Sequence, residues 1–346
     1  MNRFLGPVLA VTIALATTAC SPEKAPKGDG AAVSQKATQG GAAQSKPAKS
    51  QPESGKATKG NEQAPPDAAT PEQDAIAALK KLGASVKLDD HRSAVAVDLT
   101  GAEDTDAALA RLKDLPKLKD LKLAGPQVTD AGLESLAGLK RLKVLKLDGT
   151  GIGDAGLEKL QSLDSLEQLY LSGTRITDEG LAHLAALPRL RRLRISDTQV
   201  TGRGMAHLKP LAKLANLDVS KTAVDDAGLA HLKEMPALTN LNLYTTPVTD
   251  AGLDHITTMT QLTWLNLDNT KVTDKGLPKL KPLVDLTFLH LGRTPITDAG
   301  LENLLGLKKL TRLEVTNTKV TDEGADKLRQ SLPDCEILAG VTAAKS

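Results

Sequence analysis

Residues 142–165 read LKVLKLDGTGIGDAGLEKLQSLDS. Around Leu145 and Leu147, apolar and outward positions alternate, the period of a strand with one buried face. Leu157, Leu160 and Leu163 then fall three apart, as on one side of a short helix. The motif V/I-T-D-x-G-L within this stretch begins at Val128 and recurs, intact or slightly altered, at Ile152, Ile176, Val200, Val224, Val248, Val272, Ile296 and Val320. Each step is 24 residues and none of the nine copies carries an insertion. A single unit cannot bury its own leucines, whereas stacked units share a continuous core. The repeat therefore predicts an α/β solenoid, with parallel strands along one side and short helices along the other.

Composition agrees with that reading. The chain has 346 residues, 40% apolar but 1% aromatic, and its aromatics are Phe4, Tyr170, Tyr244, Trp264 and Phe288. A core of this kind is built from Leu, Val, Ile and Ala. The net charge is +2, and residues 71–346 alone carry about −1, which excludes the basic balance of a nucleic-acid binder. The two cysteines, Cys20 and Cys335, are too few for a disulfide framework or a multi-cysteine zinc site.

The repeat resembles that of bacterial leucine-rich repeat proteins over about residues 97–337. Its V/I-T-D-x-G-L half is also similar to the cysteine-containing repeats of F-box-type proteins, with Thr in place of their Cys or Asn. The resemblance implies a leucine-rich repeat horseshoe with a parallel β-sheet on the concave face and short helices on the convex face. It further implies that the concave sheet recognises a macromolecular partner.

Both ends carry their own signals. Arg3 precedes an apolar run from Phe4 to about Ala16, the layout of an export signal too short for a comfortable membrane span. Leu15-Ala16-Thr17-Thr18-Ala19-Cys20 resembles a bacterial lipobox, which implies cleavage after residue 20's predecessor, lipidation of Cys20 and membrane anchoring in the cell envelope. Ordinary cleavage near Ala19, giving a secreted protein, is the alternative. Residues 21–70 are rich in Ala, Gly, Ser, Gln, Lys and Pro, which predicts a disordered tether. An N-terminal cap with a degenerate first repeat is expected over 71–127, with a helix from Pro71 to Leu82 and two strands around Asp89-Asp90. Repeats with a C-terminal cap should fill 128–337, with Cys335 as an interior capping residue, and 338–346 form a tail.

Stacking turns each repeat position into a column. The Thr column (Thr150 to Thr318) is expected to satisfy buried backbone groups. The Asp column (Asp130 to Asp322, broken at Gly202) precedes each helical segment, and there Asp or the adjacent Thr is expected to cap free amides. His183, His207, His231 and His255 form a further column, but other repeats place Lys there, which marks a solvated position and not a metal site.

The outward strand positions define the candidate site. Tyr170, Tyr244, Trp264 and Phe288 all fall in these columns, Trp264 and Phe288 as neighbours, with Asn266 and His290 beside them. Aromatics kept out of the core but displayed on the open face suit binding anchors. Lys122, Lys146, Arg192 and Arg194 make the N-terminal half of that face basic, and Asp218, Asp268 and Glu314 make the later half mixed. No Gly-rich phosphate loop, hydrolase elbow or nucleophile–base pairing occurs. The expectation is a non-enzymatic recognition module without cofactor, metal or nucleic-acid partner, binding another protein. Glycan binding, with sugars stacked on Trp264 and Phe288, and a structural adhesion role are the alternatives.

Overall fold

The computed structural model describes residues 69–340. The expected export signal, Cys20, nearly all of the tether and residues 341–346 lie outside them. Helix α1 spans Pro71–Lys81. Thr70 Oγ1 accepts from the Gln73 amide at 3.3 Å, and Gln73 Oε1 accepts from the Thr70 amide at 2.9 Å, a reciprocal capping box. Gly83 ends the helix at φ +86°, where a Cβ would meet the Gly101 carbonyl at 2.7 Å. Strands β1 (Ser85–Leu88) and β2 (Ala94–Asp98) form an antiparallel hairpin. Helix α2 (Thr105–Leu112) follows. Asp104, which stands where other repeats have Val or Ile, caps it by accepting from the Ala107 amide at 2.9 Å.

From β2 onward every strand pairs in parallel with its successor. These are β3 (Asp120–Lys122), β4 (Val144–Lys146), β5 (Gln168–Tyr170), β6 (Arg192–Arg194), β7 (Asn216–Asp218), β8 (Asn240–Asn242), β9 (Trp264–Asn266), β10 (Phe288–His290), β11 (Arg312–Glu314) and β12 (Glu336–Leu338). The twelve strands form one sheet in sequence order. Residues 24 apart face one another in each parallel pair, as Leu241 with Leu265 and Leu265 with Leu289. The middle residue of each short strand is buried, and helical turns such as Asp226–Leu232 pack their leucines against it from the other side. Cys335 closes the core's end, and burial pushes its thiol pKa up, which suits packing better than reactivity.

The Thr column behaves as expected: Thr150 Oγ1 donates to the Leu147 carbonyl at 2.7 Å, and Thr174, Thr222, Thr246 and Thr270 repeat the bond. The Asp column does not. Its carboxylates from Asp130 to Asp298 cap no amide of their own helical segment; they reach into the next repeat. Asp226 Oδ1 accepts from the Thr249 amide at 2.8 Å and its Oδ2 accepts from the Thr249 hydroxyl at 2.6 Å. Asp154, Asp178, Asp250, Asp274 and Asp298 do the same with Thr177, Thr201, Thr273, Thr297 and Thr321. The two bonds from Thr321 hold the Asp298 carboxyl below its ordinary pKa. Where the expected capping occurs, the residue before the Asp column supplies it, as Thr at Thr201, Thr297 and Thr321 and as Asp at Asp225. The motif's glycine belongs to the same device: a Cβ at Gly180, Gly204, Gly252, Gly276 or Gly300 would fall on the preceding repeat's Asp oxygen.

A left-handed residue follows each strand from β3 to β11. Gly149 and Gly173 take it at φ +68°, but Asp197, Lys221, Thr245, Asn269, Arg293 and Asn317 take it at φ between 50° and 56°. This turn aims the residue's amide at the next repeat, as from Thr245 to the Asp268 carbonyl at 3.0 Å, and so prolongs the strand ladder by one bond. For a non-glycine residue it costs about 1–2 kcal/mol.

Candidate functional site

The exact 24-residue register sets Trp264 beside Phe288. Their rings stack with centroids 4.8 Å apart and planes 5° apart, a separation matching the spacing of neighbouring strands. Both are half-buried on the open face of the sheet. His290 meets Phe288 edge-on, with centroids 6.4 Å apart.

A charged cluster lies beside this pair, next to His290 and Tyr244. Asp268 is only 2% exposed, although it stands at an outward sequence position. Arg293 covers it with a two-pronged ion pair, Nε to Oδ1 at 2.9 Å and Nη2 to Oδ2. This contact raises the guanidinium pKa further. The Asp268 amide donates to Asn266 Oδ1 at 2.9 Å, so Asn266 holds the turn that carries the acid. The Arg293 guanidinium also lies 5.0 Å from the Tyr244 ring centre, with the Lys221 ammonium 6.0 Å from it. The structure thus joins Tyr244, Trp264, Asn266, Phe288 and His290 through Asp268 and Arg293. Sequence reasoning missed Arg293, and the available signal was its column, which holds glycine in earlier repeats.

Tyr170 stands apart, on β5. Its hydroxyl donates to Gln168 Oε1 at 2.9 Å and accepts from Arg192 Nη1 at 3.4 Å, while the Arg194 guanidinium lies 5.4 Å from its ring centre. Tyr170 therefore orients two arginines. Between it and Trp264 lies a shallow depression of about 240 Å³, lined by Arg192, Arg194, Asn216, Asp218, Asn240, Asn242 and Trp264.

His290 Nε2 lies 3.4 Å from Glu314 Oε2 and 3.7 Å from Asp268 Oδ2, with its side chain 17% exposed. Burial lowers its pKa below the ordinary 6.5; Asp268 and Glu314 oppose that shift, and Arg293 and Arg312 reinforce it. A lowered folded pKa means that the unfolded chain takes up the proton first as pH falls. The contribution of neutral His290 is complete above 6.5 and is lost as pH drops through the folded value. Denaturation midpoints measured from pH 7.5 to 5 should fall more steeply for the wild type than for His290→Gln. Parallel profiles would show that His290 titrates freely.

The convex histidines do not converge. His183 pairs with Gln161, Nδ1 to Nε2 at 2.6 Å. Among the described residues no group of three or more His, Cys, Asp or Glu is placed to hold a metal ion, and no helix among them is long and apolar enough to cross a membrane.

A leucine-rich repeat family model matches residues 114–137, 140–160, 163–185, 285–305 and 306–328. An internalin, inlF, of Listeria monocytogenes is similar in structure with a TM-score of 0.52 and 22% identity, covering 68% of this chain and 72% of its own. An internalin C2 of the same organism gives a TM-score of 0.48 at 24% identity, covering 61% of this chain and 84% of its own. No curated protein matches the sequence significantly. Repeat matches, sheet order and structural likeness agree that residues 69–340 form a leucine-rich repeat solenoid.

Proposed function

We propose that the chain is a non-enzymatic recognition module of a bacterial cell envelope, whose open sheet face binds a protein partner. The observation that carries this reading is the stacked Trp264–Phe288 pair. In a chain with this few aromatics, two adjacent rings sit half-buried on an open face and not in the core. Aromatic side chains, Trp above all, are enriched among the few residues that carry most binding energy. Because the rings are held by the sheet, by each other and by the His290 edge against Phe288, little ordering cost falls on binding. Tyr244, Asn266 and His290 complete the site, and Tyr170 positions the adjoining arginines.

In the same reading residues 1–20 are an export signal, and Cys20 carries a lipid that holds the protein at a membrane. Residues 21–70 serve as a tether, and the cap at 71–127 starts the repeat array of 128–337. Fatty-acid labelling lost on Cys20→Ser supports the anchor, and an unlabelled wild type refutes it.

The binding site is tested by capture from envelope extracts with wild type and Trp264→Ala/Phe288→Ala. The double variant should weaken a directly bound partner by about 3 kcal/mol, roughly 150-fold. Loss of the stacked pair should lower stability by only about 1 kcal/mol. Unchanged affinity refutes the site. The exposed ring pair favours one second reading, a sugar stacked on an open ring face, for which soluble saccharide should quench Trp264 fluorescence.

A further inference from the structure

The depression between β6 and β9 offers more hydrogen-bond donors than acceptors, Asn216 and Asp218 being its lining residues with acceptor oxygens not covered by a neighbouring amide or hydroxyl on every side. Arg192 and Arg194, two residues apart on β6, project to the same face. Arg194 shares its charge with Asp218, Nε to Oδ2 at 3.5 Å, and its side chain is still 47% exposed. Arg192 has a neutral partner, the Tyr170 hydroxyl, and no carboxylate within ion-pair distance among the described residues. On the floor, Asn240 Oδ1 already accepts from the Thr239 hydroxyl at 2.8 Å, and Asn242 Oδ1 from the Tyr244 amide at 3.1 Å. Their oxygens are engaged, so what they present is amide N–H. The one acid, Asp218, is likewise occupied by the Ser220 amide and hydroxyl at 3.0 and 2.7 Å.

Such a surface selects a ligand rich in acceptors: carboxylates and peptide carbonyls. Its far wall is Trp264, backed by Phe288, which selects an apolar side chain. Three strand spacings separate β6 from β9, about 14 Å, and an extended peptide advances about 3.3 Å per residue. The geometry points to an extended acidic segment of a partner protein, lying across β6 to β9. A carboxylate side chain of that segment pairs with Arg192, and an apolar or aromatic side chain about four residues away covers Trp264. This rests on the protein-recognition reading above and adds the partner's chemistry, direction and spacing.

The test uses the protein and synthetic peptides blocked at both ends. Each carries a pair of glutamates and one phenylalanine, separated by Gly/Ser spacers of about one to seven residues. Fluorescence of Trp264, the chain's single tryptophan, reports occupancy. Affinity should peak when the acid and the ring are about four residues apart. It should fall at least tenfold when lysines replace the glutamates, and likewise on Arg192→Gln. Arg192→Glu should reverse the preference, binding the lysine peptide better than the glutamate one. Affinity that ignores spacing, or ignores both Arg192 variants, overturns the acidic-segment proposal; peptides that still perturb Trp264 would leave the broader reading standing. Silence from every peptide also overturns it, and the broader reading then depends on capture through Trp264 and Phe288. A response to saccharides with none to peptides overturns both.

Discussion

Gly252→Ala should cost the solenoid about 3 kcal/mol, and most of that cost should vanish when Asp226 is Ala as well. A Cβ at position 252 would fall on Asp226 Oδ1, and it would stand 3.0 Å from Leu229 Cδ1. Relief requires Asp226 to move, and that carboxylate holds the Thr249 amide and hydroxyl at 2.8 and 2.6 Å. The single glycine substitution therefore breaks a charged, partly buried pair of hydrogen bonds between two repeats. Asp226→Ala alone breaks the same bonds and should cost about 2–3 kcal/mol. In the double variant the new methyl enters space the carboxylate has left, and at this right-handed backbone position Ala loses less chain entropy than Gly by about 0.4–1 kcal/mol. The double variant should then resemble Asp226→Ala alone, leaving a coupling of about 2 kcal/mol or more. Urea midpoints for the four proteins measure it, provided the denaturant slope stays constant. Additive losses would show that glycine and aspartate serve separate purposes.

That coupling also marks how far the sequence could be read. The 24-residue period exposed the leucine columns, the strand order and the Trp264–Phe288 contact, because an uninterrupted period makes residues one repeat apart neighbours. The candidate residues of β8 to β10 came from the same arithmetic. What the period could not show was any bond that leaves its own column. Asp226 opens its own helical turn, where the sequence suggests a cap, yet its partner stands 23 residues later. The offset depends on how one helical turn lies over the next, which spacing alone does not carry. Asp268 was legible as an outward position but not as a buried one, since its cover comes from Arg293, a side chain from a turn and not from a strand. The turn residues themselves were masked because glycine gives way to Asp197, Lys221 and Thr245 partway along the array, although the backbone conformation persists.

Restoring the consensus aspartate at position 202 should destabilise the protein when made alone and stabilise it when made with Asp225→Thr. Gly202 interrupts the Asp column, and Asp225 stands where the following repeat would otherwise place its Thr. The two departures compensate. Asp225 Oδ1 accepts from the Gly228 amide at 3.1 Å and so caps its own helix, and a Cβ at 202 would fall on that same oxygen and 3.0 Å from the Gly228 amide. Gly202→Asp alone thus drives one carboxylate onto another and disturbs the cap, a loss of about 2–3 kcal/mol. With Thr at 225 the new carboxylate meets a hydroxyl and an amide, the arrangement Asp178 already makes with Thr201 at 2.6 and 2.7 Å. The gain from those bonds, about 2 kcal/mol, exceeds the lost Asp cap, about 1 kcal/mol. The double variant should therefore unfold at higher urea than the wild type. A stabilising Gly202→Asp, or a double variant no better than that single, would mean that the interrupted column is not a compensated pair but a break the array tolerates.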